Sequence, residues 1–370
     1  MKTTDNTKQL GFGFMRLPKK TDVIDITLIE EMIDTFISNG YSYFDTAYIY
    51  NDSETILRKT LIERYPREAY KIGTKLPVYL IDGVSAMHEI FDTSISRLGI
   101  DHVDSYLLHG IDRMWSDVAD NIGVWGFLEE LRSDGRAKSV GFSFHGAPDE
   151  LEYILQKHPE VDFVQLQINY IDWDDAKVQS RKLYEIARSH NKAIIVMEPV
   201  KGGLLAGDKS PVLDILKNAN PDASTASWAI RFAAQWDGVM AVLSGMNSME
   251  QMHDNIQTMK NFTPLNIEET AAINAAIERL NNISCIACTS CGYCINVCPK
   301  YIKIPQFIEL FNETMVYNFD AKAQDMYALY TGDGHYASMC THCRKCEERC
   351  PQKLEISEIM EKISSKFDKL

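Results

Sequence analysis

Short apolar runs alternate with longer amphipathic ones through the first two thirds of the chain. The short runs are Tyr41–Asp45, Tyr70–Lys75, Val103–His109, Ser139–Ser143, Phe163–Ile168, Ala193–Glu198 and Val239–Ser244. They are rich in β-branched and aromatic residues and nearly continuous in apolar character, which predicts strands buried on both faces. Between them, Thr27–Ser38, Ser53–Arg64, Val84–Leu98, Val124–Arg132, Asp149–Lys157, Ala176–Ser189 and Ser224–Gln235 repeat their apolar residues at three- and four-residue steps. Leu28, Met32, Ile33 and Phe36, for example, share one helical face. Gly40 and Gly99 stand where helices should stop, and Ser53 and Asp149 where helices could be capped.

Seven such units, with an opening segment Leu10–Leu17, predict repeated βα connections and a parallel sheet. About 250 residues of this pattern suit an α/β fold of the (β/α)8 TIM-barrel type. An open doubly wound sheet is the alternative, but Gly11-Phe12-Gly13 lacks the third glycine of a dinucleotide-binding turn. The expected division is a barrel over residues 1–265, a helical connector over 266–283 and a small, mainly α-helical domain over 284–370.

Charge and composition narrow the setting. The net charge of −14 disfavours nucleic-acid partners, which require basic surfaces. No stretch reaches the roughly 20 apolar residues that span a bilayer, and none follows Met1–Thr4 as a signal peptide would. The expectation is therefore a cytoplasmic protein with neither membrane nor nucleic-acid partner.

All nine cysteines lie between Cys285 and Cys350. Eight of them form two runs, Cys288-x2-Cys291-x2-Cys294-x3-Cys298-Pro299 and Cys340-x2-Cys343-x2-Cys346-x3-Cys350-Pro351. Three thiolates two residues apart can wrap one [4Fe-4S] cubane, and the fourth, after a longer step, ligates the other cluster. Structural zinc, with four ligands per ion, is the competing assignment. Ser284–Leu370 resembles bacterial-type two-cluster ferredoxin modules. The 41 residues between Cys298 and Cys340 are long for a compact ferredoxin and carry helical spacing from Ile304-Pro305 onward. An α-helical ferredoxin holding two [4Fe-4S] clusters is expected. Cys285 extends the spacing backwards, so a Cys285/Cys288/Cys291 frame competes with the one preferred here.

Several predicted strands close on polar residues: Asp45, Lys75, His109 and Ser143. In a barrel, strand C-termini form the catalytic rim. The segment Asp45-Thr46-Ala47-Tyr48-Ile49-Tyr50 resembles a signature of the aldo/keto reductases. Gly73-Thr74-Lys75, Leu107-Leu108-His109, Val140-Gly141-Phe142-Ser143 and Met197-Glu198-Pro199 match later signatures in order. The resemblance covers roughly Leu10 to Phe262. It implies an oxidoreductase with a catalytic tetrad of Asp45, Tyr50, Lys75 and His109, acting on a small-molecule carbonyl substrate. Tyrosine ordinarily titrates near 10, and a neighbouring ammonium favours its phenolate. Tyr50, rather than Tyr48, would then donate the proton, Lys75 would activate it, Asp45 would hold Lys75, and His109 would orient the carbonyl.

The resemblance also implies NAD(P)H as cofactor. Ser143 and Gln165 would hold the carboxamide, Pro199–Gly203 would run along the pyrophosphate, and Asp254 and Asn255 would reach the adenine end. Met197 stands where the family stacks an aromatic on the nicotinamide. Neither Gly245 nor its neighbours, nor Gln251, supply the usual cation for a 2′-phosphate; Lys201 could help, but the charge pattern does not choose between NAD(H) and NADP(H). Hydride carries two electrons and each cluster passes one, so a flavin stays open beside the nicotinamide. Electron transfer through the clusters, with a partner protein, completes the expectation.

Overall fold

The computed structural model describes residues 9–21, 23–207, 210–282, 285–317 and 320–368. Ser284, expected to open the cysteine-rich domain, and Met1–Thr4 lie outside them. Eight parallel strands close into a barrel: β1 (Gln9–Gly13), β2 (Tyr43–Asp45), β3 (Lys71–Leu76), β4 (Val103–Ile111), β5 (Ala137–Phe144), β6 (Phe163–Gln167), β7 (Ala193–Met197) and β8 (Val239–Ser244). Each pairs with the next in sequence, and β1 closes the ring against β8 with Gly11 opposite Leu243. The strands are apolar on both faces because one face fills the barrel and the other meets the helices. Inside, Tyr43, Leu107, Phe163, Ile195 and Leu243 pack together. Gly73 makes this possible, since a β-carbon there would lie 2.6 Å from the Tyr43 hydroxyl.

The helices follow the predicted periodicity, with instructive departures. Helix Ile26–Ser38 buries Ile29, Met32, Ile33 and Phe36, so Ile29 rather than Leu28 completes its inner face. Gly99 ends Val84–Leu98 in the left-handed region at φ 73°. Ser53 is not a cap. It is the first residue of Ser53–Leu57, its hydroxyl donating to the Phe14 carbonyl at 2.9 Å and pairing with Thr46 Oγ1 at 2.7 Å. That helix widens into a π-helical stretch over Arg58–Ile62. Asp149 lies within Pro148–Lys157, where Ala147 is the cap and Glu150 accepts from its backbone N–H at 2.7 Å. Helices Arg113–Ile122, Leu213–Ala219 and Met249–Lys260 and the hairpin Lys19–Lys20/Val23–Ile24 were not anticipated.

The chain forms two compact units. The first comprises Met1–Val200 with Ala226–Asn266, and the second Lys201–Thr225 with Ile267–Leu370. The expected barrel span is thus interrupted by Lys201–Thr225. The expected connector is the helix Ile267–Asn281, which belongs to the second unit. There Arg279 reaches Asp214 at 2.5 Å. The core of this unit forms where Ile304–Tyr317, Asp320–Tyr330 and Ile356–Phe367 meet around Phe307, Ile308, Tyr327, Met360 and Ile363. Tyr327 stacks on Phe367 with ring centroids 4.9 Å apart, and its hydroxyl accepts from the Ala337 N–H at 2.9 Å. Among the described residues, no helix is long and apolar enough to cross a membrane.

Candidate active site and cluster cavities

Three strands and one turn bring the tetrad together. Asp45 ends β2, Lys75 lies on β3, His109 on β4, and Tyr50 on the turn after β2. The Lys75 ammonium donates to Asp45 Oδ1 and to the Thr46 carbonyl, each at 2.6 Å. It also sits 5.1 Å from the Tyr50 ring centroid. The Tyr50 and His109 rings meet edge to face, 5.6 Å between centroids. Asp45, Lys75 and His109 are buried, whereas Tyr50 is partly exposed. Tyr48 is engaged elsewhere: the Arg97 guanidinium lies 4.5 Å over its ring.

Burial sets the electrostatics. It pushes the Asp45 carboxyl up against the opposing pull of Lys75, and it lowers Lys75 against the pull of Asp45. Burial, reinforced by Lys75 and His145, holds His109 well below the ordinary histidine range, so a neutral imidazole faces the site at pH 7. His145 is therefore close enough to act on His109. Thr46 was missed as the second acceptor for Lys75, because a backbone carbonyl leaves no trace in side-chain chemistry. A buried support also went unnoticed: Glu54 accepts from Thr74 at 2.7 Å and pairs with Arg97 at 3.3 Å. Asp45→Asn leaves a buried ammonium without its counter-charge. We expect a loss of about 3–5 kcal/mol in stability, read from the urea unfolding midpoint.

The residues carried over for a nicotinamide fall into two sets. Ser143 Oγ accepts from the Gly110 N–H at 2.8 Å at the end of β5. Gln165 on β6 is buried, its amide nitrogen 3.8 Å from Met197 Sδ, while its Oε1 has no hydrogen-bond partner among the described residues. A buried carbonyl left unmet in this way fits a ligand amide donor. Gly245 is exposed just beyond β8. Asp254 and Asn255 lie on helix Met249–Lys260, where Asn255 is buried and donates to Ser244 Oγ at 2.9 Å. Lys201 belongs to the second unit, its ammonium donating to Gln352 Oε1 at 3.0 Å.

In the second unit, Cys288, Cys291, Cys294 and Cys350 line one cavity, with Thr289, Ile308 and Gln352. Cys298, Cys340, Cys343 and Cys346 line another, with Ile302 and Met360. Each set takes three thiols from one run and the fourth from the end of the other. The two loops also share a backbone path. Ser290, Gly292 and Tyr301 have positive φ, and so do His342, Arg344 and Lys353 at the same offsets from Cys288 and Cys340. Counting from Cys285 destroys that match. Ser290 N–H points at Cys288 Sγ, 3.4 Å away. All nine cysteines are free of disulfides. Burial, helped by neighbouring thiols, raises Cys294, and burial pushes Cys346 up to about 12. Thiols so placed ionise when a cationic group binds them. Eight thiols fall into two sets of four, each set lining its own cavity. The donor set fits two clusters.

The aldo/keto reductase family model matches residues 9–278, and a 4Fe-4S dicluster domain model matches residues 287–355. The NADH-specific methylglyoxal reductase of Escherichia coli K12 is 23% identical over 277 residues, 61% of this chain and 82% of the relative. The 9,11-endoperoxide prostaglandin H2 reductase of Trypanosoma cruzi is 28% identical over 279 residues, 74% and 87% respectively. Among solved structures, the holo form of an aldo-keto reductase from Bacillus halodurans superposes with a TM-score of 0.59 at 24% identity, covering 72% of this chain and 91% of that one. An aldo-keto reductase from Klebsiella pneumoniae in complex with NADPH gives 0.58 at 18% identity, covering 72% and 89%. These two likenesses show the barrel fold. The class defined here is a barrel oxidoreductase with a C-terminal iron–sulfur domain. The chain belongs to the aldo/keto reductase family, and its last part is a 4Fe-4S dicluster domain.

Proposed function

We propose that this chain interconverts a carbonyl compound and its alcohol, with Tyr50 as proton donor, and exchanges the electrons with two [4Fe-4S] clusters. The observation that carries the first half is the Lys75 ammonium, buried on Asp45 and 5.1 Å from the Tyr50 ring. A cation there stabilises the phenolate that remains once the proton has left. The neutral His109 imidazole can donate a hydrogen bond to the substrate oxygen, orienting it toward the Tyr50 hydroxyl as charge develops there. Asp45 keeps Lys75 charged and in place. Gln165 and Ser143 would hold a nicotinamide carboxamide, and the bound cofactor would supply the hydride. One relative is named as NADH-specific and one neighbour was solved with NADPH, which supports NAD(P)H here.

The cluster half rests on the paired cavities. Cys288, Cys291, Cys294 and Cys350 would hold one cluster, and Cys298, Cys340, Cys343 and Cys346 the other. Free thiols throughout and a charge of −14 suit a reducing, cytoplasmic setting with an electron-transfer partner protein. The purified anaerobic protein, assayed for bound flavin and titrated with NADH and NADPH, tests the coupling. Cluster bleaching that tracks carbonyl turnover is expected. Turnover with the clusters spectroscopically silent would reduce them to a structural role, and bound flavin would identify the group that splits the electron pair.

A further inference from the structure

One buried cation, which the resemblance assigns to the cofactor, hydrogen-bonds inside the second unit. Lys201 is 4% exposed and follows Met197 by four residues in the chain. Its backbone is left-handed at φ 46°, and Gly202 and Gly203 continue at φ 66° and 103°. A side chain in that region is unfavourable and persists only where its surroundings hold it. Two contacts do so. Lys201 Nζ donates to Gln352 Oε1 at 3.0 Å, and Gln352, itself buried, lines the cavity of Cys288, Cys291, Cys294 and Cys350. Gly202 presses on Thr289 of the same lining, so closely that a β-carbon would lie 2.6 Å from Thr289 Cα. An ammonium is thus fixed one hydrogen bond behind the wall of the first cavity. The second cavity has cations in its lining too, Lys300 and Arg344, but Arg344 is 69% exposed and Lys300 partly so, and water screens them.

We propose that Lys201 is a positioning charge for the cluster held by Cys288, Cys291, Cys294 and Cys350, raising its reduction potential. This rests on the ligand assignment given above. Four thiolates make the cluster site negative, and reduction adds one electron and one further negative charge. A buried cation stabilises the reduced form more than the oxidised one, in a medium where charges act strongly. The effect does not require the lysine to be otherwise unpaired, because removing a positive charge makes the site more negative whatever else it touches.

The test is a redox titration of the holoprotein followed by electron paramagnetic resonance, the two signals being assigned with Cys343→Ser, which removes the second cluster. Lys201→Met and Lys201→Gln should each shift the first cluster's reduction equilibrium about tenfold toward the oxidised form, ~59 mV for one electron. The second cluster's midpoint should stay unmoved, iron content should stay full, and Lys201→Arg should keep the wild-type midpoint. Unchanged midpoints in both charge-free variants overturn the proposal. Loss of iron from the first site in both makes Lys201 a structural prop, which also overturns it. A wild-type chain without two cluster signals defeats the ligand assignment itself, and this inference with it.

Discussion

Tyr50→Phe is expected to lower kcat for carbonyl reduction by roughly 10²–10⁴-fold, the usual worth of a positioned general acid. The substitution removes one oxygen and leaves the ring, so the packing against His109 at 5.6 Å and the approach of Lys75 at 5.1 Å persist. Thermal stability should therefore stay close to wild type. Because the hydroxyl's proton moves in the transition state, the loss belongs in kcat and in kcat/KM alike, with KM little changed. Tyr48→Phe is the control. Its ring lies under Arg97, and the variant should stay within a few-fold of wild type. Steady-state assays of both variants with a small aldehyde and NADH or NADPH, alongside circular-dichroism melts, decide the matter. An active Tyr50→Phe beside a dead Tyr48→Phe would reverse the assignment.

The barrel was readable because its strands are buried on both faces and its helices on one. Burial of that kind writes itself into sequence as unbroken or three-to-four-spaced apolar runs. Val103–Ile111 shows this: every position but Gly110 is buried, and Val103, Tyr106, Leu107, Leu108 and Ile111 supply the apolar surface. Asp45, Lys75 and His109 stand out in the sequence as polar residues closing such runs, and the fold brings them beside Tyr50. What escaped was whatever depends on backbone or on distant pairing. Ser53 has the residue type of a cap, but its hydroxyl bonds Phe14 and Thr46, far away in sequence or across a turn. Arg113–Ile122 buries only Ser116 and Ala119, so it leaves little apolar stripe to find. The excursion Lys201–Thr225 carries ordinary loop composition, and only its three-dimensional neighbours assign it to the second unit. Asn255 was placed near the adenine by resemblance alone, and its amide is bonded to Ser244.

Serine substitutions at the two terminal cysteines of the runs should each cost the cluster of the other run. Cys350 follows Cys346 by four residues, yet it lines the cavity of Cys288, Cys291 and Cys294; Cys298 likewise lines that of Cys340, Cys343 and Cys346. Cys350→Ser should therefore strip or convert the cluster on the first loop and spare the one on the second, and Cys298→Ser should do the reverse. Iron per chain should fall from about eight to about four where a cluster is lost outright. Cys294→Ser and Cys346→Ser, at the buried thiol of each loop, give the reference spectra for loss of each site. The signal surviving in Cys350→Ser should match that of Cys294→Ser, not that of Cys346→Ser. Cys285→Ser should keep both clusters, because the matched left-handed positions count from Cys288 and Cys340. If Cys350→Ser instead matched Cys346→Ser, each run would hold its own cluster and the crossed pairing would be wrong. If Cys285→Ser lost a cluster that Cys288→Ser kept, the frame would begin one step earlier. The crossing has a mechanical consequence as well. Each cluster so ligated would tie the first loop to the second across the intervening helices Ile304–Tyr317 and Asp320–Tyr330, so losing either one would release a long loop of chain. Both ligand variants should then unfold at lower temperature than the holoprotein.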